Sequence, residues 1–314
     1  RLISRRGSYH GATGGVLFLG SVPTSPRTDY EPGPPGMVYA PQPNAYRCEL
    51  GSSSREDCAV GCARAIDELI TFHGAETVVA VIAEPVASGP GAVMPDPIYW
   101  QMLREICTRH GVLLIADEVI TGFGRTGKLF AVEHFGIVPD IMTLAKGISS
   151  SYLPLGATLA TDKVAAEFAA DGKHLEHVFT FAGHPASAAA GLKNIELIEA
   201  EGLVEHAAKT GDYLAEKLRE LQQRHPIIGD VRGVGFMQAL DLVADRQTRA
   251  IHPDDLKLIE RINTRFKARR LLIKAHSGHL INLSPPLCTT RDDLDEILDG
   301  ISGTLGEVEA ELRQ

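Results

Sequence analysis

The 314-residue chain has little of what marks nucleic-acid-binding, membrane or disulfide-stabilised proteins. Its net charge is −9 and no cluster of lysine and arginine stands out, so a nucleic-acid partner is not expected. No apolar run reaches the roughly 18 residues that a membrane helix needs, and residues 1–20 contain no apolar core typical of a signal peptide. Five cysteines are too few for a disulfide framework in a chain of this length, which favours a reducing cytoplasm.

Three of those cysteines invite a metal hypothesis. Cys48, Cys58 and Cys62 lack an obvious fourth ligand at zinc spacing, so no metal is predicted. Cys58 and Cys62 are one helical turn apart, and we expect them to pack as small hydrophobic side chains.

The hydrophobic and charged fractions, 44% and 23%, are ordinary for a globular protein of about two domains. The pattern of the chain predicts a large domain over residues 1–200 and a smaller α+β domain over residues 201–314. Helices are expected at residues 55–72, 97–110, 185–200, 203–224, 253–270 and 290–312. Strands are expected at residues 78–83, 112–116, 141–144, 271–274 and 279–283, with further strands within 227–241. Residues 21–47, rich in Pro, Gly and Tyr, are expected to be irregular.

Strand, helix and strand at this spacing indicate an α/β fold with a parallel sheet. In open parallel sheets ligands collect beyond the carboxyl ends of the strands. Glu84, Asp117 and Lys146 each follow such an end. The sequence therefore predicts that these three side chains share one site.

The carboxylate of Asp117 and the amine of Lys146, 29 residues later, suit one cofactor in particular. An aspartate can keep a pyridine nitrogen protonated, and a lysine can form a Schiff base with an aldehyde. Together they predict a pyridoxal phosphate (PLP) site.

Two other phosphate-binding motifs nearly match residues 122–128. The run from Gly122 to Gly127 fits the dinucleotide fingerprint, but Asp117 and Glu118 stand between it and the strand end, where they would repel a pyrophosphate. The same run resembles a P-loop, yet Leu129 occupies the place of the magnesium-binding Ser or Thr. The alternative is a glycine-rich turn that carries Arg125 and Lys128 near the mouth of the site.

Five segments resemble class III aminotransferases, which are PLP enzymes of fold type I, and they occur in the same order. They are SYHGAT at residues 8–13, AEPV at 83–86, the long block at 113–149, TFAGHP at 180–185 and LSPPL at 283–287. The resemblance covers residues 1–305. It is strongest to the branch that transfers amino groups from amines or ω-amino acids to pyruvate.

The resemblance implies a role for several residues. Lys146 would hold the cofactor and Asp117 its ring nitrogen, while Tyr9 and Val119 would cover the two ring faces. Thr180 would reach the cofactor phosphate of the neighbouring subunit, which implies a homodimer with shared sites. The substrate pocket would include Glu84, Arg125 and Lys274. No role is assigned to His10 or His184.

Other activities remain open at this point. The same scaffold serves aminomutases, racemases and lyases, and the chain could also be an inactive remnant. Family members carry about 100 further residues before the SYHG segment, including a turn that grips the cofactor phosphate, so we expect the large domain to be incomplete.

One substrate residue of the family is replaced. Many members place an arginine shortly before LSPPL to hold a carboxylate, and here that position falls near Ala275, between Lys274 and His276. A lysine does not offer the same two-pronged geometry. We therefore expect weaker discrimination in favour of dicarboxylates such as 2-oxoglutarate.

Overall fold

Two β-sheets organise the protein in the computed structural model, which describes residues 1–22, 26–52, 54–169 and 172–313. The first sheet has six strands, in the order β2 (Met37–Ala40), β1 (Leu2–Arg5), β3 (Ala80–Ala83), β4 (Leu113–Asp117), β5 (Ile141–Leu144) and β6 (Ala157–Ala160). All neighbours pair in parallel except β5 and β6. The predicted α/β class with a mainly parallel sheet is confirmed.

The central strands are buried because helices cover them. Helix α1 is a single turn (Gly14–Leu17), whereas α2 (Arg55–His73) and α3 (Pro97–His110) share one core cluster with β3 and β4. Cys58 and Cys62 lie fully buried in that cluster, which confirms their packing role. Helix α3 starts where predicted, since the Asp96 carboxylate accepts the amide of Ile98 at 3.2 Å.

Several short elements were missed. Strand β2 and the turns Pro26–Tyr30 and Ala45–Arg47 lie in the segment predicted to be irregular, of which residues 23–25 fall outside the described part. Strands β1 and β6 and helix α4 (Asp162–Ala169) were not predicted either. Four-residue strands carry too little alternation to stand out from their surroundings.

Helices α5 (Pro185–Ala200) and α6 (Leu203–Arg224), both predicted, lead from the first sheet to the second. The second sheet is antiparallel, in the order β7 (Ile228–Val234), β8 (Met237–Leu242), β10 (Leu280–Leu283) and β9 (Lys274–His276). Helices α6, α7 (Leu258–Ala268) and α8 (Arg291–Leu312) bury its apolar face in a separate core cluster.

Two predictions in this half were wrong in their bounds. The helix expected over residues 253–270 is shortened to α7, because a separate turn forms at Asp254–Leu256. The strand expected at residues 271–274 begins at Lys274, where pairing with β10 starts. The domain boundary near residue 200 stays a prediction. Across the described ranges, no helix combines the length and apolar character needed to cross a membrane.

Candidate active site

The residues that follow β3, β4 and β5 meet at one cavity, as predicted. Its volume is about 200 Å³. The lining residues are Tyr9, His10, Gly11, Glu84, Val86, Asp117, Val119, Ile120, Thr121 and Lys146. Parallel pairing brings the carboxyl ends of these strands to one edge, so residues distant in sequence become neighbours.

The carboxylate of Asp117 is held by a histidine to which no role had been assigned. Asp117 is 6% exposed, and His10 Nδ1 lies 2.7 Å from its Oδ2. The amide of Val119 donates to Oδ1 at 3.1 Å. Both oxygens therefore have partners, and the orientation of the carboxyl group is set. The place of His10 directly after Tyr9, in the SYHG segment, was the available signal.

A second carboxyl group, that of Glu84, lies beside this pair. Glu84 is 4% exposed, and Arg5, from β1, is fully buried next to it. Arg5 Nη2 donates to the backbone oxygen of Glu84 at 2.6 Å and lies 3.7 Å from Oε2. Among the described residues, neither carboxylate oxygen of Glu84 has a hydrogen-bond partner. Burial raises the pKa of Glu84, while His10 and Arg5 oppose that rise and Asp117 adds to it.

We expect this raised pKa to make the effect of replacing Glu84 depend on pH. The folded protein binds the Glu84 proton more readily than the unfolded chain, so the resulting stabilisation is present below the ordinary value of 4.5 and is lost as pH rises through the folded pKa. The free energy of unfolding of wild type minus that of E84Q should therefore fall as pH increases.

Urea unfolding of both proteins between about pH 4 and about pH 8 measures this difference. Loss of the Arg5–Glu84 contact in E84Q adds a constant to this difference in unfolding free energy. Arginine stays charged throughout the range, so this constant does not itself change with pH. A difference that is constant over the range contradicts the prediction.

Lys146 follows β5 and lines both this cavity and a larger one. Its backbone φ is +46°, an uncommon value for a residue with a side chain, which turns the chain sharply at the strand end. The residue is exposed as a whole, yet partial burial of its amine lowers the pKa of Lys146. Asp117 and Glu84 act in the opposite direction, and the ammonium group of Lys274 contributes to the lowering.

Two of the three other residues predicted to bind the cofactor lie at the cavity. Tyr9 and Val119 line the cavity. The described lining does not include Thr180, which is exposed in this single chain, so its contact with a neighbouring subunit stays a prediction.

Arg125 lines the larger cavity of about 740 Å³ together with Lys146. Its guanidinium group is partly buried, which lowers the pKa of Arg125, and it donates to the backbone oxygens of Phe236, at 3.3 Å, and Pro285. Both hydrogen bonds come from Nη1, so the donors of Nη2 and Nε remain available to the cavity.

The register of β9 shows which residues near the position of the family arginine are accessible. Ala275, the position obtained by counting from Pro285, is buried in the core cluster of the second sheet. Lys274 is exposed and close enough to Lys146 to affect its pKa. Ala275 is thus not accessible to a ligand, whereas Lys274 is, but neither cavity that Lys146 lines includes Lys274, so its role stays a prediction.

The glycine-rich run at residues 122–127 forms turns against helix α6. Gly127 has φ of +80°, and a Cβ at this position would lie 2.8 Å from Cα and Cβ of Ala208. No α-helix begins within the described residues 119–130, so the arrangement needed for a dinucleotide fingerprint is absent from that range.

The residues present fit the chemistry of PLP. A buried carboxylate whose oxygens are already oriented can hold a protonated ring nitrogen, and an amine of lowered pKa can bond an aldehyde. An aromatic and an aliphatic side chain, Tyr9 and Val119, lie on the same cavity. A parallel-sheet edge that carries this set resembles the cofactor site of PLP-dependent enzymes.

The chain belongs to the class III aminotransferases, since the family model matches residues 1–305. It is 37% identical to the taurine–pyruvate aminotransferase of Bilophila wadsworthia over 98% of this chain and 69% of that protein. It is 40% identical to the diaminobutyrate–2-oxoglutarate transaminase of Halomonas elongata over 76% of this chain and 51% of that protein.

The solved structures agree. An amine transaminase from an uncultivated Pseudomonas species, in its PLP-bound form, matches with a TM-score of 0.92 and 37% identity over 98% of this chain and 70% of that one. The chain spans 66% and 64% of the length of the first two curated relatives that it matches.

Proposed function

We propose that this protein, bound to PLP, transfers an amino group from an amine or ω-amino acid to a keto acid, with pyruvate as the acceptor. The observation that carries the proposal is the shared cavity of Asp117 and Lys146, with Asp117 held by His10 at 2.7 Å. Membership of the class III family supports the reaction type.

PLP, when bound, supplies an aldehyde that bonds amines and a ring that accepts electrons. Asp117, a buried carboxylate that two donors hold in place, would keep the ring nitrogen protonated. The lowered pKa of Lys146 favours its neutral amine, which can take the proton from the substrate carbon and return it at the neighbouring position. Tyr9 and Val119, which line the cavity, would contact the cofactor ring.

The choice of acceptor follows from the replaced arginine. The relatives include one named for pyruvate and one named for 2-oxoglutarate, so family membership alone does not decide it. Lys274 is a single exposed cation, and the Arg125 guanidinium group donates to backbone oxygens. Near the position of the family arginine, a second carboxylate of 2-oxoglutarate would meet the point charge of Lys274 and no forked guanidinium group, which favours pyruvate.

Replacing Lys274 should raise KM for acidic substrates alone. In K274A we expect KM for an ω-amino acid to rise by about two- to fivefold, the range that an exposed ion pair supports. KM for an uncharged hydrophobic amine should not change. Steady-state kinetics with both donors measures the ratio, and K267A, which removes an exposed lysine of α7, is the matched control. Equal changes for both donors would show that Lys274 does not recognise the acid.

A homodimer with shared sites is part of the proposal. Between residues 152 and 197 many large apolar side chains are exposed, more than scattered surface residues require. They include Tyr152 at 79%, Val178 at 89%, Phe181 at 75% and Leu192 at 66%. Thr180 lies within this surface, which supports its role towards a second copy. Sedimentation equilibrium of the purified protein measures the mass, and a monomer at micromolar concentration would contradict this part.

The five cysteines are free thiols in the described residues. Free thiols persist in reducing compartments, which supports placement in the cytoplasm. Fractionation of the producing cells tests this directly.

The reaction itself is tested by product analysis. The purified protein is incubated with PLP, pyruvate and a panel of amines and ω-amino acids, and alanine and the carbonyl product are quantified. Equal amounts of both are expected, with 2-oxoglutarate a poorer acceptor than pyruvate. An isomerised donor without pyruvate consumption would indicate an aminomutase or racemase, and carbon–carbon cleavage a lyase. A folded, PLP-bound protein without any product would contradict the proposed activity.

A further inference from the structure

The loop at residues 84–93 follows β3 of the first sheet and carries Glu84. Side chains of the second sheet hold this loop through hydrogen bonds to its backbone. Asn282, on β10, donates through Nδ2 to the backbone oxygen of Ser88 at 3.0 Å. Arg232, on β7, donates through Nη2 to the oxygen of Pro90 at 2.8 Å and through Nε to that of Gly91 at 2.6 Å. Three backbone oxygens of one loop are therefore bound by side chains far away in sequence.

Arg232 is itself held by a buried carboxylate. Asp241, on β8, is fully buried, and its Oδ2 accepts from Arg232 Nη2 at 3.0 Å. The same carboxylate accepts two hydrogen bonds from Arg47, at 2.6 and 3.1 Å. Asp230 contacts Arg232 Nη1 at 2.7 Å. With all three guanidinium nitrogens hydrogen-bonded, Arg232 has little freedom to move.

Close packing confirms that this contact is built into the fold. Gly91 has φ of +85°, and a Cβ there would lie 2.9 Å from both Arg232 Nη2 and a methyl carbon of Leu280. The loop residues Val86 and Ala92 also share an apolar cluster with Met237 of β8.

The beginning of the loop is attached to the first sheet instead. Arg5 binds the backbone oxygen of Glu84, and the side chains of Glu84 and Val86 form one wall of the cavity. The position of this wall thus depends on both sheets, through Arg5 on one side and Arg232 on the other.

We propose that Arg232 is a positioning residue that sets the substrate wall formed by Glu84 and Val86, and thereby the affinity for the amino donor. It touches neither substrate nor cofactor, and acts by fixing the backbone of residues 88–91. This inference rests on the proposed transamination for its kinetic consequence, whereas the fastening of the loop can be measured without any reaction.

The test compares R232M with R246M. Arg246 also donates to three backbone oxygens, those of Gln222, His225 and Ile228, but none of them belongs to the loop or the cavity. Hydrogen exchange is followed at Ala87, Gly91 and Val93, whose amides bond within the loop. We expect exchange at these amides to be at least about tenfold faster in R232M, the effect of losing charge-assisted hydrogen bonds, and unchanged in R246M.

Kinetic measurements on the same variants distinguish a positioning role of Arg232 from a loss of folded protein. Destabilisation lowers the concentration of active enzyme and so the apparent kcat, but it leaves KM unchanged. In R232M we expect KM for the amine to rise by about tenfold, since small displacements of a pocket wall weaken binding, and R246M should keep the wild-type KM. Unchanged loop exchange, or equal effects in the two variants, would overturn the proposal.

Milder variants keep the test valid if R232M does not fold. R232K retains a positive charge beside Asp241 but loses the two-pronged contact, and N282A removes the Ser88 bond without changing charge. Both should accelerate loop exchange and raise KM in the same direction, by smaller factors, and wild-type values in both would overturn the proposal. If wild type shows no transamination, faster loop exchange in R232M would still support the fastening and locate the failure in the proposed activity.

Discussion

The K146A variant is expected to lose transamination, with kcat/KM reduced by at least about 10⁴-fold, the upper part of the range for one acid–base group. Lys146 supplies the amine that would bond the cofactor and also move the substrate proton, so a single substitution removes both contributions. Alanine adds no charge and no bulk to the cavity. The measurement is alanine formation from pyruvate, with the bound cofactor followed by its visible absorbance.

K128A is the matched control for this experiment. Lys128 is exposed and lies in the turns at residues 122–128, but it does not line either cavity that contains Lys146. Its replacement should leave kcat/KM unchanged. Turnover of K146A within about tenfold of wild type would refute the assignment of Lys146.

The D117N variant should show the second largest loss, about a thousandfold in kcat/KM, comparable to removal of one preorganised electrostatic group. The amide of asparagine has nearly the shape of the carboxyl group but carries no negative charge, so it cannot favour a protonated ring nitrogen. The asparagine oxygen can accept from the amide of Val119, and its NH2 group can donate to Nδ1 of a neutral His10, which keeps the fold intact.

D140N separates this electrostatic effect from a general effect on stability. Asp140 precedes β5, and its carboxylate accepts from the amide of Leu114 and from Arg104, both at 2.8 Å. Its replacement should cost about 1–2 kcal/mol of unfolding free energy with kcat/KM retained. If D117N and D140N behave alike, Asp117 has a structural role and the site assignment fails.

The sequence was a good guide to the centre of the site and a poor guide to its surroundings. Buried runs that end in Glu84, Asp117 and Lys146 predicted one cavity, because parallel strands bring their carboxyl ends together. His10 and Arg5 were not assigned a role. Neither lies at the end of an apolar run that the sequence predicted to be a strand.

The position of Lys274 shows a different limit. Counting residues from Pro285 pointed to Ala275, whereas the structure buries Ala275 in the core and leaves Lys274 exposed. Neighbouring residues of a strand point to opposite faces, so an error of one residue exchanges a core position for an exposed one. Only the pairing of β9 with β10 settles that register.

The sequence by itself determined the class of fold, the buried strands β3, β4 and β5 and the places of Asp117 and Lys146 at strand ends, since hydrophobic runs and the residues that end them are local properties. The tertiary structure decided which distant polar groups form hydrogen bonds. His10 contacts Asp117, 107 residues away in sequence. Arg232 donates to the backbone oxygens of Gly91 and Pro90, 141 and 142 residues away. Such pairs form through space when packing brings distant segments together, and no periodicity along the chain records them.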